Sequence, residues 1–141
     1  MSWTDKQRVV VPVDLSEITY SAVQVARDFT PENQNIHVIH VVREINPAVT
    51  GGLLGKEFTD DRPKISEEIL KEKLTSEFPG VNIQVEKGEP GEMIPEFANS
   101  IQGDLLVMTS YGRKGMKEHM IGSVAERVLR LSKCPVLILK P

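Results

Sequence analysis

Five short apolar runs alternate with stretches of helical periodicity along this chain, and that alternation permits few folds. Gln7 to Val13 reads as a buried strand, Asn35 to Val42 as a second, Val81 to Glu86 as a third, Asp104 to Met108 as a fourth and Pro135 to Leu139 as a fifth. Behind an N-cap at Ser16, residues Ala22, Val25, Ala26 and Phe29 form one apolar stripe. Ile65, Ile69, Leu70 and Leu74 face inward from a helix over Lys64 to Glu77, and Val124, Val128 and Leu131 line the last helix. A helix over Gly91 to Ile101 is marked by Ile94, Phe97, Ala98 and Ile101, with Pro95 expected in its first turn, where a missing N–H costs little. Strands separated by helices build βαβ units, so the expected class is α/β, an open five-stranded parallel sheet with helices on both faces. The alternating third run belongs at an edge.

Size and composition agree with one domain over 1–141, long enough to bury roughly two-thirds of its unfolded surface. Aromatic residues are few (one Trp, two Tyr, four Phe), as suits strands covered on both faces by aliphatic side chains. A net charge of −3 gives no overall basic field and argues against general nucleic-acid binding. Cys134 is the only cysteine, so no intramolecular disulfide can form, and its place before Pro135 suggests a packed thiol rather than a redox centre. Neither a cleavable apolar leader nor an apolar run near the ~18 residues of a bilayer span is visible, so no membrane association and a cytoplasmic location are expected. Arg43 to Pro63, carrying Gly51, Gly52 and Gly55, reads as a flexible loop beside the site, with one helical turn near Leu53 and Leu54, or equally as a tolerated surface insertion.

The chemistry concentrates after the fourth strand. A glycine-bearing loop runs from Met108 to the pair Gly122 and Ser123, which opens a helix. Loop N–H groups and the positive end of a helix dipole can hold an anion there, and Arg113, Lys114 and Lys117 add positive charge. Ligands of open parallel sheets sit at the carboxyl ends of strands where the strand order reverses, so Pro12 to Ser16 and Met108 to Gly112 should converge on one crevice. No G-x-G-x-x-G follows the first strand and no Walker A loop occurs, which disfavours a dinucleotide site or a P-loop. His37 and His40 lack metal-ligand spacing and read as structural, and His119, in the loop, reads as exposed, with approach to a ligand as the alternative. No nucleophile–base–orienter set marks a hydrolase.

The spacing Thr109-x2-Gly112-x9-Gly122-Ser123 resembles the G-x2-G-x9-G-(S/T) loop of nucleotide-binding universal stress proteins, with Thr109 at the first glycine. Val9 to Ser16, Ile39 to Val41 and Ser132 to Leu139 resemble the family's opening, second and closing strands. The resemblance implies a Rossmann-like adenine nucleotide fold with strand order 3-2-1-4-5. It also implies ATP bound with Mg2+, or Mn2+ in its place, by a regulatory, stress-response module that works through a protein partner or an oligomer. Carried over residue by residue, Pro12 and Val13 frame the adenine edge, backbone groups of Val13 and Val41 read the ring, and Asp14 contacts ribose hydroxyls or a water near the metal. Met108, Thr109, Tyr111, Gly112, Gly122, Ser123, Val124 and Ala125 then hold ribose and phosphates.

Each of these residues also has a plain reading. Asp14 can simply support a turn and cap, Val41 fill the core, Gly112 make a turn and Gly122-Ser123 cap a helix. Thr109 departs from the family pattern: its Cβ can crowd the ligand, or its hydroxyl can donate a hydrogen bond. Tyr111 stands where relatives often carry histidine, and Gly115 has no assigned task. The resemblance further implies a homodimer through Pro135 to Leu139. Slow ATP hydrolysis or phosphotransfer at the same site and a nucleotide-free dimeric interaction module are the competing functions.

Overall fold

In the computed structural model, residues 2–45, 59–111 and 121–140 are described. The element order is β1 (Val9–Pro12), α1 (Glu17–Ala26), β2 (Ile36–Val42), α2 (Arg62–Glu77), β3 (Asn82–Lys87), α3 (Pro90–Ser100), β4 (Leu105–Thr109), α4 (Ser123–Leu131) and β5 (Val136–Leu139). The five strands form one parallel sheet in the order β3-β2-β1-β4-β5, the expected arrangement. Among the described residues, no helix is long and apolar enough to cross a membrane.

Period-two alternation along the central strands feeds two cores. Val9, Val11, Ile36, Val38, Leu105 and Val107 pack with α1 and α2 on one face. Val10, Ile39, Val41, Leu106 and Met108 pack with α3 and α4 on the other. With both faces covered, β1 is buried throughout, which is why its sequence is an unbroken apolar run. Of the α1 stripe, Ala22 and Ala26 are fully buried, while Val25 and Phe29 pack at the margin of the core.

Three expectations need correction. Ile65 and Ile69 do not face inward: they are 52% and 44% exposed, because the buried face of α2 is Ser66, Leu70 and Leu74, spaced by four and offset by one position. Leu131 is 44% exposed at the end of α4, whose buried residues are Ala125 and Val128. Pro95 lies inside α3 rather than in its first turn. That helix starts earlier, at Pro90, where Glu89 O accepts the N–H groups of Glu92 and Met93. Pro90 is thus the proline in the position that tolerates a missing N–H, and Pro95 deprives Gly91 O of its helical donor.

Smaller shifts have visible causes. Gln7 and Arg8 do not join β1, because their N–H groups donate to the Asp104 carboxylate at 2.8 and 3.1 Å. At the other end Thr109 belongs to β4, paired with Leu139. The helical turn expected near Leu53 and Leu54 lies outside the described residues.

Candidate functional site

The strand order reverses between β1 and β4, and there the carboxyl ends of β1, β2 and β4 open into a cleft of about 410 Å³. From β1 and its exit come Pro12, Val13 and Asp14; from β2, Val41; from β4 and its exit, Met108, Thr109 and Tyr111; from the start of α4, Gly122, Ser123, Val124 and Ala125. Leu15 and Ser16, expected in the same crevice, do not line it, and Gly112, Arg113, Lys114, Gly115, Lys117 and His119 lie outside the described residues.

The β1 side is a closed hydrogen-bonded turn. Asp14 Oδ1 accepts from the Ser16 N–H at 3.0 Å, from the Ser16 hydroxyl, and from the Thr19 hydroxyl at 3.2 Å. The Asp14 N–H donates to Thr19 Oγ1 at 3.2 Å. Ser16 is the N-cap of α1 by geometry, yet its side chain bonds Asp14 instead of the helix. Between them Leu15 takes φ +71°, a conformation a leucine adopts only when its surroundings hold it. The structural role of Asp14 as turn organiser is therefore present in full, and it places this carboxylate on the cleft wall.

The β4 side is built differently. Ser110 N–H donates to Leu139 O at 2.9 Å, and Ser110 O accepts from Gly122 N–H at 2.9 Å, so one residue ties the strand end to both β5 and the helix start. A Cβ on Gly122 would come within 2.8 Å of that Ser110 oxygen, so glycine is required by close approach. Gly122 is the N-cap and the first helical bond is Glu126 N–H to Gly122 O. The N–H groups of Ser123, Val124 and Ala125 thus have no carbonyl within the helix and stand at its positive end. Thr109 Oγ1 donates to Tyr111 O at 2.5 Å, fixing the turn out of β4.

Several cleft residues were not singled out for this site from the sequence. Thr19, His40, Arg43, Pro90, Ile94 and Ser110 also line it. His40 Nδ1 lies 2.8 Å from Val13 O; a carbonyl only accepts, so this nitrogen carries the proton and ties β2 to the end of β1. That is the structural role expected of it, at the cleft rather than away from it. Arg43 pairs with Glu89 at 2.6 Å, and Arg43 O accepts from Arg62 at 2.8 Å. Asp60, beside them, pairs with Arg62 and Lys87, and the Arg62 guanidinium in particular holds its carboxyl well below the usual carboxylate range. Ile94 was legible only as core filler, and Ser110 only as the residue between Thr109 and Tyr111.

Comparison with known proteins agrees with this geometry. The universal stress protein family model matches residues 6–140. Universal stress protein MJ0531 of Methanocaldococcus jannaschii is 33% identical over 141 residues, covering 95% of this chain and 82% of its own length. Universal stress protein YxiE of Bacillus subtilis is 32% identical over 146 residues, covering 94% and 98%. Among solved structures, MJ0577 of Methanocaldococcus jannaschii superposes with a TM-score of 0.75 at 26% identity, covering 96% of each chain. A universal stress protein in complex with cAMP superposes with a TM-score of 0.60 at 25% identity, covering 95% of this chain and 96% of that one. With one family model covering nearly all of its length and its sheet and cleft built as described, the chain belongs to the universal stress protein family.

Proposed function

We propose that the cleft binds an adenine nucleotide, ATP carried with Mg2+, and that the protein is a nucleotide-dependent regulatory module rather than an enzyme. The observation that carries this reading is the meeting, in one cleft, of the α4 N–H groups with an apolar slot made by Val13, Val41 and Ile94. A flat base fits the slot, and a phosphate fits the helix start, whose fixed donors and dipole favour negative charge. Asp14 lines the same cleft and is an acceptor suited to ribose hydroxyls. The relative solved with cAMP supports an adenine ligand at this kind of site.

Among the described residues, Asp14 is the only carboxylate lining the cleft, and no cluster of three or more His, Cys, Asp or Glu could hold a metal ion. A divalent ion, Mg2+ or Mn2+, would therefore arrive on the phosphates, completed by water and at most the Asp14 carboxylate, as suits a hard cation that dehydrates reluctantly. That carboxylate already accepts three hydrogen bonds on one oxygen, which favours a binding role over that of a general base.

Calorimetric titration of nucleotide-stripped protein with Mg-ATP, ADP, AMP and cAMP tests the reading. Saturation near equimolar ligand is the expected result, and no heat at millimolar ATP would replace it with a nucleotide-free interaction module. The same proposal includes a homodimer through β5, an edge strand half-buried along its length and, among the described residues, paired only with β4. Light scattering at micromolar concentration should give twice the chain mass; a monomeric mass would remove the dimer without touching the cleft.

A further inference from the structure

Among the described residues, Ser110 carries the one buried side-chain polar atom without a hydrogen-bond partner. Its backbone is fully used, with N–H on Leu139 O and carbonyl on Gly122 N–H, both at 2.9 Å. The residue is 2% exposed, and Oγ is buried with no hydrogen-bond partner among the described residues. Thr109, one residue earlier, satisfies its own hydroxyl on Tyr111 O, so the turn does not lack acceptors as such. A buried hydroxyl without a partner destabilises a fold relative to alanine, and native structures keep few of them without a use. Ser110 also lines the cleft, bonded through its carbonyl to the residue that caps α4.

We propose that the Ser110 hydroxyl is a phosphate-binding group of this cleft, donating to a phosphate oxygen of the nucleotide held at the start of α4. Rotation about its single χ1 bond turns Oγ among staggered positions while the two backbone bonds keep the Cα fixed. A hydroxyl donating to an ionised oxygen makes one of the stronger hydrogen bonds available to an uncharged side chain. Position selects phosphate over base: the peptide of Ser110 abuts the helix start, whereas the apolar slot is lined from β1, β2 and α3. The inference rests on the nucleotide reading above and assigns a task within it.

The test is Ser110→Ala, compared with the unaltered protein in two measurements. Thermal unfolding without ligand should give an equal or higher Tm, because the substitution removes a hydroxyl that the fold does not satisfy. Titration should show ATP affinity reduced about tenfold and adenosine affinity unchanged. A lower ligand-free Tm would mean that the hydroxyl serves the fold, and would overturn the proposal. So would an unchanged ATP affinity, or an equal loss for adenosine, and either would leave the nucleotide reading standing. Failure of the unaltered protein to bind ATP would overturn both.

Discussion

The two walls of the cleft are made from the same kinds of atoms and reach opposite states. At the exit of β1, the Asp14 carboxylate, both hydroxyls of Ser16 and Thr19 and two backbone N–H groups are bonded to one another around a leucine at φ +71°. At the exit of β4, the backbone is just as firmly tied, yet three helix-start N–H groups lack intrahelical acceptors and the Ser110 hydroxyl lacks a partner. The first wall spends its polar groups on its own shape and offers a ligand a rigid edge. The second holds polar groups in fixed positions with their bonding capacity unspent. On the nucleotide reading proposed above, the second wall would hold a charged group and the first would align the rest of the ligand.

The largest break should come from Gly122→Ala. Its Cβ meets a backbone oxygen at 2.8 Å, not the end of a flexible side chain. Overpacking of this kind should lower stability by about 2–3 kcal/mol in denaturant unfolding and abolish ATP binding in the same preparation. Asp14→Ala should cost about 1.5 kcal/mol by removing a charged acceptor of three bonds, and Asp14→Asn, which keeps an oxygen for the turn, should recover most of it. If Asn fails to rescue stability, the charge and not the turn geometry organises this wall. Thr109→Val, nearly equal in volume, removes only the bond to Tyr111 O and should cost about 1 kcal/mol by thermal unfolding. A neutral outcome there would show that the β4 exit holds its shape through Ser110 and Gly122 alone.

The smallest effect serves as a control away from both walls. His37 on β2 has a pKa below the ordinary 6.5, chiefly from burial, with Arg8 adding to it. A base with a depressed native pKa takes up its proton earlier in the unfolded chain. Its contribution to stability is complete above pH 6.5 and is lost as pH falls from there through the native value. His37→Gln should flatten the pH dependence of Tm in that interval and leave ATP affinity at neutral pH unaltered.

Much of this comparison could be read from residue order, but not its polarity. The strands and their parallel pairing were legible because doubly covered strands must be written as continuous apolar runs, as β1 is. The cleft's membership was legible because Pro12 to Asp14 and Thr109 to Ser123 carry family spacing. What could not be read depends on orientation. Ile65 and Ile69 share helical spacing with Leu70 and Leu74, and nothing in a periodic pattern says which of two adjacent stripes meets the sheet. Whether a serine hydroxyl is satisfied, as in Ser16, or not, as in Ser110, is decided by neighbours distant in sequence or by the local turn. The departure at Thr109 looked like a threat to the ligand, while in the fold its hydroxyl is consumed by its own turn.

The bond from Gly122 N–H to Ser110 O has a consequence for how such a chain can diversify. It holds the strand end and the helix start together through one backbone hydrogen bond, so their spacing is set locally by these two residues. Doubling the length of a connection closed by such a bond costs only about 0.6 kcal/mol more entropy. Charge changes between Tyr111 and Ile121 can therefore accumulate while the strand end and the helix start keep their spacing, so sequence there can vary without rebuilding the walls.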